Sequence, residues 1–416
     1  MISQRADLTF KYNQNQGRHG WLRLTPAYSV KVVQNLLQSL EKPSAVLDPF
    51  SGTGTTGLVC AEKGIACDLV ELNPFLVWLA KVKLHQYTEK ELLLAYELAR
   101  AASVQASHLK QADKLWIPPL NFIERWWSED RLMTLAKLFH GLEVNHSHEL
   151  TSPPLNLALI AFCRVAMKWS NATFNHQSVS FKGIPSEPFK IIEEVQPRLF
   201  DVDGSRDLIT DFLSSVEEVI AAVNHSIKSR TVVYEGDARN IQTITLHKYD
   251  CVITSPPYPN RISYIRELRP YMYWLKFLKE AREAGELDWS AIGGTWGIAT
   301  SRLNQWEYNG KAVPYEGFDT MIAQISKSSA LLANYVHKYF VDISSHLSNL
   351  KPSLASGAKL FYIVGNSKFY GTLVPVEEIY AGIMREQGFN QVRVEPLRKR
   401  NSKKELYEFV VSAEKS

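Results

Sequence analysis

The chain has 416 residues, 45% of them hydrophobic and 22% charged, so it can bury a large core as one domain with insertions or as two domains. Its formal net charge is only +4, which excludes a strongly polycationic protein and requires any nucleic-acid contact to come from local basic surface. Four cysteines lie far apart, without a Cys-x-x-Cys motif or a Cys/His cluster, which argues against a zinc site and against a disulfide framework.

The first predicted element is a helix that ends near residue 40. Thr25 is a suitable N-cap, and Pro26 suits the first helical position. Apolar residues then recur with helical spacing. The segment therefore predicts a helix just ahead of the first strand.

A strand, a tight turn, a helix and a second strand are predicted between residues 44 and 75. An apolar run leads to Asp48, a glycine-rich turn and an amphipathic helix follow, and a second apolar run ends at Glu71. Such glycines let a ligand approach the backbone closely, and an acidic residue after the second strand can accept hydrogen bonds from ribose hydroxyls. Residues 52–57 also match the dinucleotide fingerprint G-x-G-x-x-G. The stretch predicts the opening of a doubly wound sheet that binds an adenosine-type cofactor.

Residues 88–229 change character and predict a mostly helical insertion. Four segments, starting near residues 89, 122, 154 and 207, carry apolar residues at spacings of three and four. The loop at 170–190 is polar and can offer hydrogen bonds to base edges or phosphates, although an ordinary surface loop is the alternative. Its candidate side chains are Asn171, Asn175, His176, Gln177 and Lys182.

The sheet is predicted to resume after this insertion. A short strand at 231–234 precedes a turn that contains Asp237, and a buried strand at 250–254 ends in Ser255-Pro256-Pro257-Tyr258. Residues 281–328 predict a smaller irregular insertion, with Trp296, Arg302, Asn304 and Trp306 as its candidate contact residues. Strands at 359–364 and 390–395 and a helix at 376–387 follow, and residues 405–412 predict a reversed last strand.

The two motifs together, DPFSGTGTT at 48–56 and TSPPY at 254–258, resemble those of the S-adenosylmethionine-dependent DNA amino-methyltransferases. The resemblance implies an α/β fold of the class I methyltransferase, Rossmann-like type: a doubly wound, mostly parallel seven-stranded sheet with an antiparallel last strand. Residues 1–87 and 230–416 would form the catalytic domain, and the helical insertion at 88–229 is a candidate DNA-recognition region. The cofactor implied is S-adenosyl-L-methionine, and the partner is double-stranded DNA.

The resemblance also assigns candidate residues to the two sites. The cofactor residues are Asp48, Pro49, Phe50, Ser51, Gly52, Gly54, Thr55, Glu71, Asn73, Asp237 and Ala238, with His19 and Thr25 as candidates from the N-terminal segment. The catalytic residues are Ser255, Pro256, Pro257 and Tyr258. Basic residues among aromatic ones suit phosphate contact and stacking, and the DNA-binding candidates are Arg261, Arg266, Arg269, Lys182, Arg398 and Arg400.

An exocyclic amine is a poor nucleophile because its lone pair is delocalised into the ring. Methyl transfer needs that nitrogen pyramidalised and aligned, with acceptors ready for its protons. The Ser255 hydroxyl and the Pro256 carbonyl can accept from the amine, and Tyr258 can stack on a base flipped out of the duplex. Direct transfer without a covalent intermediate is expected, which fits the absence of a Pro-Cys nucleophile motif, and Cys251 is predicted to pack within its strand.

Serine ahead of Pro-Pro-Tyr favours cytosine N4 as the acceptor, because in the resembled family aspartate at this position is typical of adenine-N6 enzymes. The alternatives are an adenine-N6 DNA methyltransferase, an RNA amino-methyltransferase, an NAD-dependent dehydrogenase built on the glycine motif, and a non-catalytic DNA-binding module. The cofactor motif precedes the catalytic motif here, whereas the reverse order is more frequent in the family, so no target-recognition residues are transferred. A restriction endonuclease is a possible partner, and no metal is expected.

A soluble cytoplasmic protein is predicted from the absence of targeting signals. The N-terminal residues are polar and lack the apolar core of a signal peptide. The longest apolar stretch, residues 155–169, is interrupted by Arg164 and is shorter than the ~20 residues that span a bilayer.

Overall fold

The computed structural model describes residues 3–24, 27–109, 115–145, 152–175, 178–181, 204–223, 226–245, 247–260, 263–295, 297–308, 310, 312–400 and 405–416. The strands are β1 (Ala45–Asp48), β2 (Ala66–Glu71), β3 (Ala172–Asn175), β4 (Ser178–Phe181), β5 (Thr231–Glu235), β6 (Tyr249–Thr254), β7 (Leu354–Gly365), β8 (Ser367–Phe369), β9 (Thr372–Val374), β10 (Phe389–Lys399) and β11 (Tyr407–Lys415). The helices are α1 (Val30–Gln38), α2 (Thr55–Lys63), α3 (Pro74–Leu84), α4 (Glu89–His108), α5 (Ile123–Trp126), α6 (Glu129–Val144), α7 (Pro153–Lys168), α8 (Gly204–Ala221), α9 (Ile241–Ile244), α10 (Tyr264–Trp274), α11 (Ala281–Ser290), α12 (Ile298–Asn304), α13 (Phe318–Ser326), α14 (Ala330–Leu350) and α15 (Val376–Glu386).

The chain divides into two compact units. One comprises Met1–Leu84, His225–Leu268 and Arg282–Ser416, and the other comprises His85–Asn224 and Arg269–Ala281. The first unit contains the main sheet. The second contains helices α4 to α8. The assignment of the helical unit to DNA recognition stays a prediction.

The main sheet has seven strands in the order β10-β11-β7-β6-β1-β2-β5. The pairs along β7-β6-β1-β2-β5 are parallel, whereas β11 runs antiparallel to both β7 and β10. A sheet that is parallel except for one reversed strand is the predicted class I methyltransferase arrangement, so the fold prediction is confirmed.

The sheet is covered on both faces, as parallel strands require. Neighbouring residues of one strand fall in different core clusters, because successive side chains of a strand point to opposite faces. Val46 packs with apolar residues of α1, α2 and α3. Leu47 instead packs with apolar residues of α13, α14 and α15. The strands are therefore fixed by two helical layers, and their carboxyl ends remain as the edge where a site can form.

The helical unit has its own aromatic core. Trp127, Phe139 and Phe162 surround Trp274, with ring centroids 5.8, 6.1 and 5.2 Å from that of Trp274. All four side chains are buried. This cluster gives the unit a core of its own.

Several sequence predictions of local structure were wrong. The first helix begins at Val30 with Ser29 as its N-cap, because the Ser29 hydroxyl accepts the Lys31 N–H; Thr25 and Pro26 lie outside the described residues. The predicted helix at 122–142 is divided into α5 and α6. The helix is interrupted at Trp127, where the backbone is extended. The buried indole N–H of Trp127 donates to the carbonyl of Ala166, which holds the side chain in this position.

Four further segments contain structure that the sequence did not predict. The polar loop at 170–190 contains the β3–β4 hairpin, and the insertion at 281–328 is mainly helical, since α11, α12 and α13 lie in it. The predicted turn after β7 is followed by the small hairpin β8–β9. Helix α14 was not predicted at all.

Candidate active site

The two sequence motifs lie at one edge of the sheet. Strands β1 and β6 are parallel neighbours, with Val46 opposite Cys251 and Leu47 opposite Val252. Because parallel neighbours end at the same edge, the glycine turn after β1 and the Ser-Pro-Pro-Tyr loop after β6 begin side by side. The Cys251 thiol is buried in the strand, and burial raises its pKa, which favours a packing role over a nucleophilic one.

The carboxylate of Asp48 connects the starts of the two motifs. One oxygen accepts the Thr254 hydroxyl at 2.6 Å and the Phe50 N–H at 3.1 Å, and the other accepts the Thr56 hydroxyl at 2.6 Å. Asp48 is completely buried, and burial raises its pKa to about 6 although these hydrogen bonds oppose the rise. The Asp48 carboxylate thus holds β1, β6 and α2 together.

The glycine turn owes its shape to positive φ angles and close packing. Gly52 has φ +50° and Gly54 has φ +77°, a region that L-residues rarely adopt. A Cβ on Gly54 would lie 3.0 Å from the Cβ of Ala80, and one on Gly57 would lie 2.6 Å from Cδ1 of Leu69. At Gly52 the nearest atom would be 4.0 Å away, so this face of the turn is open. Gly54 and Gly57 therefore allow tight packing of the turn, whereas Gly52 leaves space for a ligand to approach the backbone.

The acidic residue after β2 holds the turn from the other side. One carboxylate oxygen of Glu71 accepts the Gly52 N–H and the other accepts the Asn73 N–H, both at 2.8 Å. Burial raises the pKa of Glu71 to about 7. The buried Ser51 hydroxyl has no hydrogen-bond partner among the described residues. An open glycine, a carboxylate and an unsatisfied buried hydroxyl fit a polar ligand of the adenosine type at this turn.

The end of β5 carries the other predicted cofactor residues. The Asp237 carboxylate accepts hydrogen bonds from the backbone N–H and the guanidinium of Arg239, which also pairs with Asp342 at 3.0 Å. The carbonyl of Ala238 accepts the Nδ1–H of His346 at 2.8 Å. The Asp237 carboxylate therefore already has partners in this structure.

His346 was missed from the sequence, yet it lies between two predicted cofactor residues. Its ring meets that of Phe50 edge-on at 4.7 Å, and its Nδ1–H binds the carbonyl of Ala238. The other nitrogen accepts the Tyr362 hydroxyl at 2.7 Å. Burial lowers the pKa of His346 to about 4, so the imidazole is neutral at physiological pH. This neutral ring therefore connects Phe50 with the backbone of Ala238, two of the predicted cofactor residues.

A buried lysine, also missed, supports the glycine turn. Lys83 is 1% exposed, and its ammonium donates to the carbonyl of Thr53 at 3.0 Å. Burial lowers the pKa of Lys83 to about 7. The Lys83 carbonyl accepts a guanidinium hydrogen of Arg18 at 2.8 Å, which connects the N-terminal segment to α3 and the turn. The predicted residue His19 is buried 3.9 Å from the carboxylate of Glu62, and Thr25 lies outside the described residues.

The Ser-Pro-Pro-Tyr loop lies against the end of β7. The Ser255 hydroxyl donates to the carbonyl of Ile363 at 3.3 Å. The Tyr258 ring packs on Gly365, where an added Cβ would lie 2.9 Å from Cε2 of Tyr258. The guanidinium carbon of Arg400 is 5.8 Å from the centroid of the same ring. Burial raises the pKa of Tyr258, so its phenol stays protonated.

The DNA-binding candidates differ in their surroundings. The Arg398 guanidinium binds both oxygens of Glu408, at 2.7 and 2.5 Å, between β10 and β11. Arg400 donates to the carbonyl of Asn366 at 3.0 Å, beside Tyr258. Arg266 and Arg269 lie on α10, where DNA contact stays a prediction. The candidates Lys182, Arg261, His176, Gln177 and Trp296 lie outside the described residues.

The described residues contain no group of three or more His, Cys, Asp or Glu side chains placed to hold a metal ion. Within that same part of the chain, every helix is too short or too polar to cross a membrane.

The chain is similar to known methyltransferases along most of its length. It is 22% identical to the type II methyltransferase M.BsoBI of Geobacillus stearothermophilus over 437 residues, which cover 94% of this chain and 82% of that protein. It is also 22% identical over 434 residues to the type II methyltransferases M.AvaI of Nostoc sp. (strain PCC 7120) and of Anabaena variabilis, covering 97% of this chain and 86% of each. A solved rRNA methyltransferase, aviRa of Streptomyces viridochromogenes, aligns with a TM-score of 0.29 and 10% identity over 94% of this chain and 86% of its own. No protein-family model matches the chain.

Proposed function

We propose that this protein is an S-adenosylmethionine-dependent DNA methyltransferase that methylates the exocyclic N4 of cytosine in duplex DNA. The observation that carries the proposal is the parallel pairing of β1 with β6, together with the Asp48 carboxylate that connects the starts of the two motifs. The similarity to type II methyltransferases along most of the chain supports the same activity and a role in restriction and modification.

The cofactor would be held by the glycine turn and its surroundings. The open face at Gly52 permits close approach, the buried Ser51 hydroxyl supplies an unused hydrogen-bonding group, and Glu71 supplies acceptors near the turn. When bound, S-adenosylmethionine supplies an electrophilic sulfonium methyl group. Thr53 and Gly54 keep the turn in shape through the Lys83 ammonium and the contact with α3.

The Ser-Pro-Pro-Tyr loop would act on the acceptor base. The Pro256 carbonyl and the Ser255 hydroxyl accept hydrogen bonds from the target amine and orient its lone pair for attack. Tyr258 offers an aromatic face that offsets the stacking a flipped base loses. Because the Tyr258 phenol remains protonated, it contributes packing and hydrogen bonding and does not act as a base. Ser255 in place of aspartate favours cytosine over adenine.

The helical unit is proposed to recognise the DNA sequence. Its larger segment, His85–Asn224, lies between β2 and β5 in chain order, and its smaller segment, Arg269–Ala281, follows β6. Arg266, Arg269 and Arg400 are the described cations that we propose contact DNA. The pairing of Arg398 with Glu408 leaves Arg398 the weakest of the four described candidates.

The product of the reaction tests the proposal directly. The purified protein is incubated with unmethylated genomic DNA and S-adenosylmethionine labelled in the methyl group, and the DNA is digested to nucleosides for mass spectrometry. Labelled N4-methylcytosine is expected. N6-methyladenine as the sole labelled product would overturn the choice of base, and labelled tRNA with unlabelled DNA would overturn the choice of nucleic acid.

Two variants connect the product to the proposed site. Ser255→Ala and Tyr258→Ala should each lose methyl transfer by at least about 100-fold, because general positioning in the transition state is worth that much. Both should retain binding of S-adenosylhomocysteine, measured by calorimetry.

Thermal stabilisation of the wild type by NAD and not by S-adenosylhomocysteine would instead favour the dehydrogenase.

A further inference from the structure

The peptide bond between Pro257 and Tyr258 has both of its polar atoms bound to tyrosine hydroxyls. The Pro257 carbonyl accepts the Tyr339 hydroxyl at 2.8 Å. The Tyr258 N–H donates to the Tyr264 hydroxyl at 3.2 Å. Since proline has no N–H, this is the first backbone donor after Ser255 in the catalytic loop. We call Tyr264 and Tyr339 the tyrosine pair.

The tyrosine pair comes from two helices outside the catalytic motif. Tyr339 lies in α14 and is 1% exposed, and its oxygen is 2.9 Å from the hydroxyl of Tyr380 in α15. A carbonyl can only accept, so the Tyr339 proton goes to Pro257 and the Tyr339 oxygen accepts the Tyr380 proton. Burial raises the pKa of Tyr339 and of Tyr380, so both hydroxyls keep the protons that they donate in this arrangement. Tyr264 only accepts, from the Tyr258 N–H.

The hydrogen bonds at its two polar atoms fix the plane of the Pro257–Tyr258 peptide. A peptide unit is planar, so bonds at both its carbonyl and its N–H oppose rotation about the flanking single bonds. Rotation of this unit would move the Pro256 carbonyl on one side and the Tyr258 ring on the other. Methyl transfer depends on both groups meeting the target base with correct orientation, and misplacement by about 1 Å can cost on the order of 100-fold in rate.

We propose that Tyr264 and Tyr339 are positioning residues that hold the catalytic loop in its reactive conformation, an inference that rests on the proposed function. Neither residue belongs to the glycine turn or the Ser-Pro-Pro-Tyr loop. Their hydroxyls act only through the Pro257–Tyr258 peptide. Loss of either hydroxyl therefore lowers the rate of methyl transfer and leaves ligand affinity unchanged.

The test compares three Tyr→Phe variants in single-turnover methyl transfer to the substrate DNA of the wild type. Tyr339→Phe and Tyr264→Phe should each lower the rate by about tenfold, the effect of one net hydrogen bond on a barrier. Tyr380→Phe is the matched control, because it removes a buried hydroxyl of the same cluster and leaves the bond from Tyr339 to Pro257 intact. Its rate should stay within about twofold of the wild type. Affinities for S-adenosylhomocysteine and DNA should not change in any variant.

Each outcome separates the proposal from its alternatives. Wild-type rates in both Tyr339→Phe and Tyr264→Phe would overturn the positioning role and leave the proposed function standing. A loss in Tyr380→Phe equal to that in Tyr339→Phe would show a general packing effect and would also overturn it. If Tyr339→Phe does not fold, Tyr264→Phe tests the other end of the peptide alone. Absence of methyl transfer by the wild type would overturn the proposed function and the positioning role together.

Discussion

The substitution Gly52→Ala tests whether the cofactor contacts the glycine turn, provided that its effect on binding is distinguished from its effect on stability. Gly52 has φ +50°, and a Cβ there would come no closer than 4.0 Å to its nearest neighbour. Gly64, at the other end of α2, has φ +69° and would place a Cβ 3.7 Å from that of Lys228. Both positions are therefore strained for an L-residue without being crowded, and Gly64→Ala is the matched control.

The two substitutions should cost the same in stability. A left-handed conformation costs an L-residue roughly 1–2 kcal/mol relative to glycine. The free energy of unfolding should fall by that amount in both variants, measured by urea denaturation. Only Gly52→Ala should weaken binding of S-adenosylhomocysteine, by about tenfold or more, because its methyl group enters the face of the turn that we propose contacts the cofactor.

Calorimetric titration of the two variants decides between the explanations. Equal and undiminished affinity in both variants would refute the proposal that the cofactor contacts the turn at Gly52. Equal loss of affinity in both variants would also refute that proposal, because destabilisation of α2 would then explain the weaker binding. The expected result is a loss in Gly52→Ala alone, at equal free energies of unfolding.

Two further predictions concern buried charges. Lys83→Met should stabilise the protein at pH 7 by about 2–5 kcal/mol, because burial lowers the pKa of Lys83 from 10.5 to about 7 and the unfolded chain holds the proton more tightly. Wild-type stability to urea should therefore rise between pH 7 and 10, and a similar rise in the variant would contradict this. Arg398→Ala should destabilise by about 3 kcal/mol at pH 8 and by less at pH 5, because the buried Glu408 then takes up a proton. Its affinity for DNA should not change, and weaker binding by a fully folded variant would restore Arg398 as a phosphate contact.

The elements next to the two motifs could be predicted because their signals are local. An apolar run of four to six residues followed by glycine or proline marks a buried strand and its end, as in β1 and β6. The reversed last strand followed from a hairpin pattern near the C-terminus. These features require no knowledge of distant partners, and the sheet was predicted correctly from them.

Helix α14 carries a local signal that the sequence prediction overlooked, since its buried apolar residues recur at spacings of three and four: Leu332, Val336, Phe340, Ile343, Leu347 and Leu350. The polar side chains on the same buried face could not be assigned from the sequence. Tyr339, Asp342 and His346 are all buried on this helix, although each carries a polar group. Their burial is stable only because Pro257, Arg239 and Tyr362 supply hydrogen-bond partners from other parts of the chain. Apolar spacing therefore locates this helix but cannot identify its buried polar contacts. Lys83 was missed for a related reason, since a lysine near a helix end normally lies in solvent.

The order of the two motifs along the chain has no effect on the geometry that we propose for the site. The Asp48 carboxylate binds Thr56 at the start of α2 and Thr254 at the end of β6, so the glycine turn and the Ser-Pro-Pro-Tyr loop both start at one buried group. Any displacement of one loop from the other would break a hydrogen bond to a buried charge, which is costly in a dry environment. Parallel pairing of β1 with β6 establishes this contact whichever strand comes first. An enzyme with the motifs in reverse order could therefore build the same pocket, provided that an acidic side chain still joins the two strand ends.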